Sequence, residues 1–396
     1  MPSAISRQLR IAVIGTGPAG LSSAIALSEL PDVDLHVYEK AGELKNLGAG
    51  ISVNHNGWKV LELLGIRDRV NGASTNPTVQ RWAKIIRNAY TGEIVDPGVS
   101  HDPDNAYEAR RVKRLVLQEA LAVKIPEDLV EFDKKLVGLE DIGKDGVRVS
   151  FEDGTETIVD LVVGADGIRS VVRKHMVPDY PLDYAYQVGW RCLIPAERLK
   201  HIPNLPLTTT SWWYGKAKSV WLSPLDADVS NLTDIEFTAR VFNEPPIPGK
   251  TDCDSRLVEV FKQVPEGNWT EFAAYAGPVP DSLVAWDKLV LVGDSSHPSA
   301  VAASGGFGSG SAFAMEDSWT LARAIESEFR KSQKEVLMEV GRKEYIDFDS
   351  DLRKRFAKDG LGAKRGKGFL AFVYDHDIGK TWKEFVESDQ ARYNGN

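Results

Sequence analysis

Leu9-Arg10-Ile11-Ala12-Val13-Ile14-Gly15-Thr16-Gly17-Pro18-Ala19-Gly20 decides how this chain is built. An apolar run of buried-strand type ends in a Gly-x-Gly-x-x-Gly turn, and Leu21, Ile25 and Leu27 give the next segment a helical apolar stripe. Pro18 suits the first helical turn, where a missing N–H costs nothing. Val33 to Tyr38 reads as a second strand, and Glu39 follows about 20 residues after the last glycine, the spacing of a dinucleotide-binding βαβ unit. Gly15 permits the tight turn, Gly17 lets backbone approach a pyrophosphate, and Gly20 lets helix and strand pack closely. The helix N-terminus presents free N–H groups to phosphates, while Glu39, followed by Lys40, is placed to bind a ribose diol. NAD and FAD both satisfy this motif.

Two more glycine turns follow in fixed order, Gly164-Ala165-Asp166-Gly167 and Gly293-Asp294-Ser295-Ser296-His297-Pro298, the latter preceded by the buried-strand run Leu289 to Val292. Between them, from about residue 180 to 280, the texture turns to Trp, Tyr, Thr and Pro with alternating stretches such as Val220-Trp221-Leu222. That pattern predicts an antiparallel sheet inserted into the first lobe. Helices are expected over Asn56–Leu64 with Asn56 as N-cap, over Arg114–Val123, from about Ser309 to Glu328, and from about Lys334 to Lys358. The fold class is therefore α/β, a Rossmann-like nucleotide domain (1–80, 105–178 and 283–330) carrying an inserted β-sheet substrate domain (81–104 and 179–282). A C-terminal helical segment (331–396) completes the chain.

The net charge of -9 over 396 residues argues against a nucleic-acid surface, which needs clustered Lys and Arg. No apolar run reaches the roughly 18 residues of a membrane span, and no apolar core of a secretory signal precedes the first strand. Cys192 and Cys253 are too few for a disulfide framework or a cysteine-built metal site. A cytoplasmic setting is expected, with no metal.

Asp160 to Arg173, centred on Gly164-Ala165-Asp166-Gly167, resembles the inner Asp-Gly motif of group A flavoprotein monooxygenases, the single-component family of para-hydroxybenzoate and salicylate hydroxylases. Leu291 to Pro298 is similar to their Gly-Asp motif, Met315-Glu316-Asp317 to the helix after it, Leu47 to Ile51 to the segment after the second strand, and Lys113 to Leu117 to their Arg-x-x-Leu helix start. The resemblance implies FAD as cofactor and NAD(P)H as transient electron donor. On it, Gly15, Gly17, Pro18, Ala19 and Gly20 line the pyrophosphate, and Glu39 and Lys40 the adenosine end. Arg114 reaches the flavin side, with Arg110 and Arg111 as neighbouring alternatives, and Gly50 and Ile51 are also counted as cofactor-binding. Asp166 serves the shared pocket, Asp294 a ribityl hydroxyl, and Gly310 and Ser311 the flavin N1–C2=O edge, with Gly308 also counted as cofactor-binding. One departure stands out: residues 299–309 form a loop about four residues longer than the family pattern, without its second proline and with Ser309 in place of Gln.

The activity implied is aromatic hydroxylation: reduced flavin reacts with dioxygen, and the resulting C4a-hydroperoxide attacks a phenolic or salicylate-like ring. Substrate contacts are expected from Trp190, Arg191, Trp213, Tyr214 and Trp221, although alternating aromatics on a sheet are more often core than pocket. Arg191, Tyr214 and His55 are the catalytic candidates. The partners are then a small aromatic molecule, O2 and NAD(P)H, on a monomer or homodimer. Epoxidation or rearrangement of an indole or polyketide scaffold is the alternative. Halogenation is more remote because Trp190-Arg191-Cys192-Leu193-Ile194-Pro195 has cysteine where the halogenase marker has its second tryptophan. A non-catalytic flavin-binding protein is a further remote alternative, with the loop departure after His297 as its footing.

Overall fold

The computed structural model describes residues 8–44, 50–74, 85–97, 107, 110–215, 219–225, 232–240, 253–278, 280–298, 310–331 and 377–394. Gly308, the loop 299–309 and the helix expected over 334–358 lie outside the described residues.

The strand Leu9–Ile14 is central to a six-stranded sheet ordered Val284–Ala285, Leu289–Leu291, Leu161–Gly164, Leu9–Ile14, Val33–Tyr38, Val130–Glu131. All neighbours pair in parallel except Val284–Ala285, which runs antiparallel to its neighbour. Ile11 sits opposite Leu161 on one side and Leu35 on the other. Three signature turns therefore emerge from carboxyl ends of neighbouring strands, the edge at which open α/β sheets bind ligands.

The helix Pro18–Ser28 is buried along most of its length, so it shows no polar stripe. It packs between this sheet and the long helix Gly310–Lys331; Ser318 Oγ donates to the Ala19 carbonyl at 2.8 Å. The next helix runs His55–Leu63 with Asn54 as N-cap in extended backbone. Asn56, expected as the cap, lies instead within the first turn and is wholly buried, because the chain turns helical two residues earlier. A helix at Ile378–Asn394 docks on the same region, with Ile378 buried and Trp382 and Phe385 against the core.

A meander of Leu136–Asp141, Val147–Phe151 and Glu156–Val159 covers the opposite flank, where the rings of Tyr38 and Phe151 lie 4.6 Å apart. Arg10 pins it through Asp160 at 2.8 Å.

The second sheet has seven strands, ordered Thr270–Ala276, Asp183–Pro195, Asp234–Arg240, Ser219–Pro224, Ser211–Tyr214, Ile85–Asn88, Ile94–Asp96. Its back face carries Cys192, Ile194, Trp213, Val220, Leu222, Ile235, Phe237 and Ala239 against the helix Ser255–Gln263. Its other face looks toward the first lobe. Two short strands, Gly50–Val53 and Arg110–Lys113, pair antiparallel there and carry Arg111 onto the second sheet.

Candidate active site

A cavity of about 350 Å³ opens at the carboxyl ends of Leu9–Ile14, Val33–Tyr38 and Leu161–Gly164. Gly15, Thr16, Gly17, Glu39, Lys40, Arg114, Gln118, Asp166 and Gly167 are among its walls. Gly15 has φ +105, and a Cβ there would meet the Ala165 carbonyl oxygen at 2.7 Å. A Cβ on Gly20 would lie 1.8 Å from the Gly15 carbonyl oxygen, whereas one on Gly17 meets nothing within 4 Å. Gly17 thus faces open space at the helix N-terminus, whose first N–H groups receive no side-chain cap. Glu39 braces the turn from below: Thr16 donates to Oε2 from N at 2.9 Å and Oγ1 at 2.7 Å, and the Ala41 N–H donates to Oε1 at 2.9 Å. Ala19 is buried against the third turn, 3.0 Å from where a Gly293 Cβ would stand.

The second and third turns are fastened together by a residue to which sequence reasoning gave no role. Arg173 is buried and donates to the carbonyls of Ser295 at 2.8 Å, Asp294 at 3.2 Å and Ile168. Its guanidinium also lies 4.4 Å from the Tyr180 ring centre. Asp166 accepts from the Val171 and Val172 N–H groups at 2.6 and 3.2 Å, starting the helix Val171–Met176 and walling the cavity. Burial pushes its carboxyl up, against hydrogen bonds from Ser170 and those two amides.

Asp317, from the long helix, holds the third turn. Its Oδ2 accepts from the Gly293 N–H at 2.7 Å and lies 2.7 Å from His297 Nε2. Burial works against a charged His297, but Asp317 and then Asp294 outweigh it and raise the imidazole from 6.5 to about 9. His297 is therefore a charged strut of the loop. Asp294 is itself pushed up by burial, against the pull of His297 and Arg114. Arg114 is pushed down by burial, with Asp294 opposing.

Several buried polar atoms here have no hydrogen-bond partner among the described residues: Arg114 Nε, Asp166 Oδ1 and Ser311 Oγ, the last on the first turn of the long helix. Together with the open face at Gly17, this donor set fits FAD. The glycine turn and Glu39 would hold its adenylate and pyrophosphate, Arg114 and Asp294 its middle, and the start of Gly310–Lys331 its flavin edge. Arg110 and Arg111 do not compete with Arg114 for this place. Arg110 stacks at 5.5 Å on Trp58, and Arg111 binds Glu236. Gly50 and Ile51 are not among the cavity walls; the Gly50 N–H donates to Glu236 at 3.1 Å.

Glu236 is the other residue the sequence left unnoticed. It is fully buried and gathers Arg111, the Gly50 N–H and Arg191, whose Nε lies 3.3 Å from Oε1. Arg191 also lies over Phe272 at 4.7 Å. Of the other catalytic candidates, Tyr214 stacks on Trp212 at 5.8 Å and is 45% exposed. His55 packs on the Tyr107 ring at 5.1 Å in the first lobe. The four expected aromatics divide by face. Trp190 and Trp213 belong to the back core, where Arg87 and Arg256 lie 5.3 and 4.9 Å from the Trp213 ring. Trp221 looks toward the first lobe, with Arg111 at 4.3 Å. Alternation on the strand accounts for the split: in Ser211–Tyr214, one residue's shift reverses the face. Among the described residues no cluster of His, Cys, Asp and Glu is arranged to hold a metal.

A dinucleotide cleft whose walls suit FAD therefore lies beside an aromatic-bearing sheet that buried Arg111 joins to it. The FAD binding domain family matches residues 8–344. The chain is 31% identical over 333 residues to 3-amino-4-hydroxybenzoate 2-monooxygenase of Streptomyces cremeus, covering 82% of this chain and 80% of that one. It is 26% identical to 6-methylsalicylate 1-monooxygenase atA of Aspergillus terreus over 81% of this chain and 75% of that one. A salicylate hydroxylase solved with its substrate superposes with a TM-score of 0.71 at 18% identity, covering 96% of this chain and 98% of that one. The chain belongs to the FAD-dependent aromatic monooxygenase family and is an FAD enzyme of hydroxylase type.

Proposed function

We propose that this enzyme hydroxylates an aromatic acid bound between the FAD cleft and the inner face of the seven-stranded sheet. Arg191 carries the reading. Its Nε is turned to Glu236, and no described residue hydrogen-bonds its terminal nitrogens. Arg111 and Arg114 stand close enough to add to its field. A guanidinium fork held from behind and free in front suits a carboxylate bidentately. The relatives act on ring acids, namely 3-amino-4-hydroxybenzoate and 6-methylsalicylate.

Bound FAD supplies the acceptance of electrons from NADH or NADPH and the activation of dioxygen. The remaining work falls to the chain. Arg191 orients the ring, the buried face of the sheet excludes water, and Arg114 with the N-terminus of Gly310–Lys331 stabilises negative charge at the flavin edge. Overall, Ar–H, O2, NAD(P)H and a proton become Ar–OH, NAD(P)+ and water. We place the enzyme in the cytoplasm, a reading supported by two free cysteines, and take it as a monomer or homodimer. No described helix is long and apolar enough to cross a membrane.

Oxygen uptake by the FAD-loaded protein, with NADH and NADPH in turn, tests the reading across hydroxybenzoates, aminohydroxybenzoates and hydroxynicotinates. At least one acid should stimulate uptake and gain one oxygen atom by mass. Unstimulated oxidation with every ring acid contradicts it.

A further inference from the structure

We propose that Thr238 Oγ1 and Trp221 Nε1 select the ring oxygen of the substrate while Arg191 takes its carboxylate; this rests on the aromatic-acid reading above. Arg191 pairs in register with Thr238, Thr238 with Trp221, and Trp221 with Trp212, so the four side chains form one row across neighbouring strands. Adjacent members stand about 4.8 Å apart along the sheet. Strand alternation puts the row on the same face as Glu236, the face Arg111 and Gly50 approach from the FAD lobe.

Thr238 is 1% exposed and Trp221 is 4% exposed, yet neither the hydroxyl nor the indole N–H has a hydrogen-bond partner among the described residues. Buried polar groups are ordinarily paired, and a pair of unpaired ones in adjacent register calls for an occupant. Trp221 offers no free face. Trp212 stacks 5.0 Å away with planes 4° apart, and Arg111 lies at 4.3 Å. What remains is its edge, which only donates. The group it receives is therefore an acceptor, an oxygen borne on the ring. Glu236, two residues before Thr238 on the same strand, has Oε2 taken by Arg111 and the Gly50 N–H, while its Oε1 faces Arg191 Nε at 3.3 Å. A ring acid with an added hydroxyl or oxo group satisfies the whole row, whereas unsubstituted benzoate satisfies Arg191 alone.

The test uses the FAD-loaded enzyme with benzoate and the three hydroxybenzoate isomers as probes, dissociation constants being read from the flavin absorbance change. Wild type should bind one isomer at least about tenfold more tightly than benzoate, because a site built to bond an oxygen rejects the ring that lacks it. Thr238→Val and Trp221→Phe should each weaken that isomer by about 3- to 30-fold and leave benzoate within about twofold, with Thr238→Ser restoring most of the loss. The Tm of ligand-free Thr238→Val should equal or exceed that of wild type, since an unpaired buried hydroxyl is removed. Equal weakening of both probes, no weakening of either, or a lowered Tm for Thr238→Val overturns the assignment. A wild type that binds benzoate and all isomers alike overturns it too, leaving the aromatic-acid reading intact. A wild type that binds none of the acids overturns that reading and this inference with it.

Discussion

Gly17 and Gly20 stand three residues apart and answer to different demands. A Cβ at Gly20 collides with backbone at 1.8 Å, so Gly20→Ala should lower the Tm of FAD-free protein by many degrees. A Cβ at Gly17 meets no atom of the described residues within 4 Å, so Gly17→Val should leave the FAD-free Tm unchanged and weaken FAD by roughly tenfold or more. Thermal melts with and without FAD separate the two; equal destabilisation of both apoproteins would contradict the assignment. Arg114→Met should likewise weaken FAD without destabilising the apoprotein, because its guanidinium is buried with Nε unpaired. His297 adds a pH signature. Its folded value of about 9 exceeds the ordinary 6.5, so its stabilisation is whole below about pH 6.5 and is lost as pH rises through about 9. Asp317→Asn should flatten that decline, as followed by Tm between pH 6 and 10. Gly20 was legible because the carbonyl it must clear, that of Gly15, lies only five residues away. Glu236 was not, since its partners Arg111 and Gly50 lie 125 and 186 residues away.

Arg173 sits in the short helix Val171–Met176 yet serves the loop after Leu289–Leu291, joining two elements through three carbonyls. Replacing it by Met leaves those buried acceptors unpaired, and chemical denaturation should register a loss of about 2–5 kcal/mol. A change under about 0.5 kcal/mol, typical of a surface site, would refute the clamp. Elements whose apolar period is strong were readable in advance: Leu9–Ile14, Val33–Tyr38, Arg114–Ala122 and the long helix all stand where their patterns place them. Where pattern is silent, reading faltered. Asn54 and Asn56 are equally good caps by composition, and only the fold chooses Asn54. Trp212 and Trp213 are equally aromatic, and only strand register sends Trp213 into the back core.

At the scale of the molecule, the turns at 15, 166 and 294 come to one edge because neighbouring parallel strands deliver their carboxyl ends there. That convergence was foreseeable from the order of the three motifs, since each follows a buried-strand run. The coupling between lobes was not, because it passes through charges on short strands with no repeating pattern. FAD binding should stabilise the whole fold, and the Tm should climb with added FAD as mass action requires. The most direct test of the central claim is the flavin content of the purified, folded chain after reconstitution. One tightly held FAD per chain, released by Gly17→Val and Arg114→Met, is the result predicted; a folded protein that stays colourless at saturating FAD would contradict it.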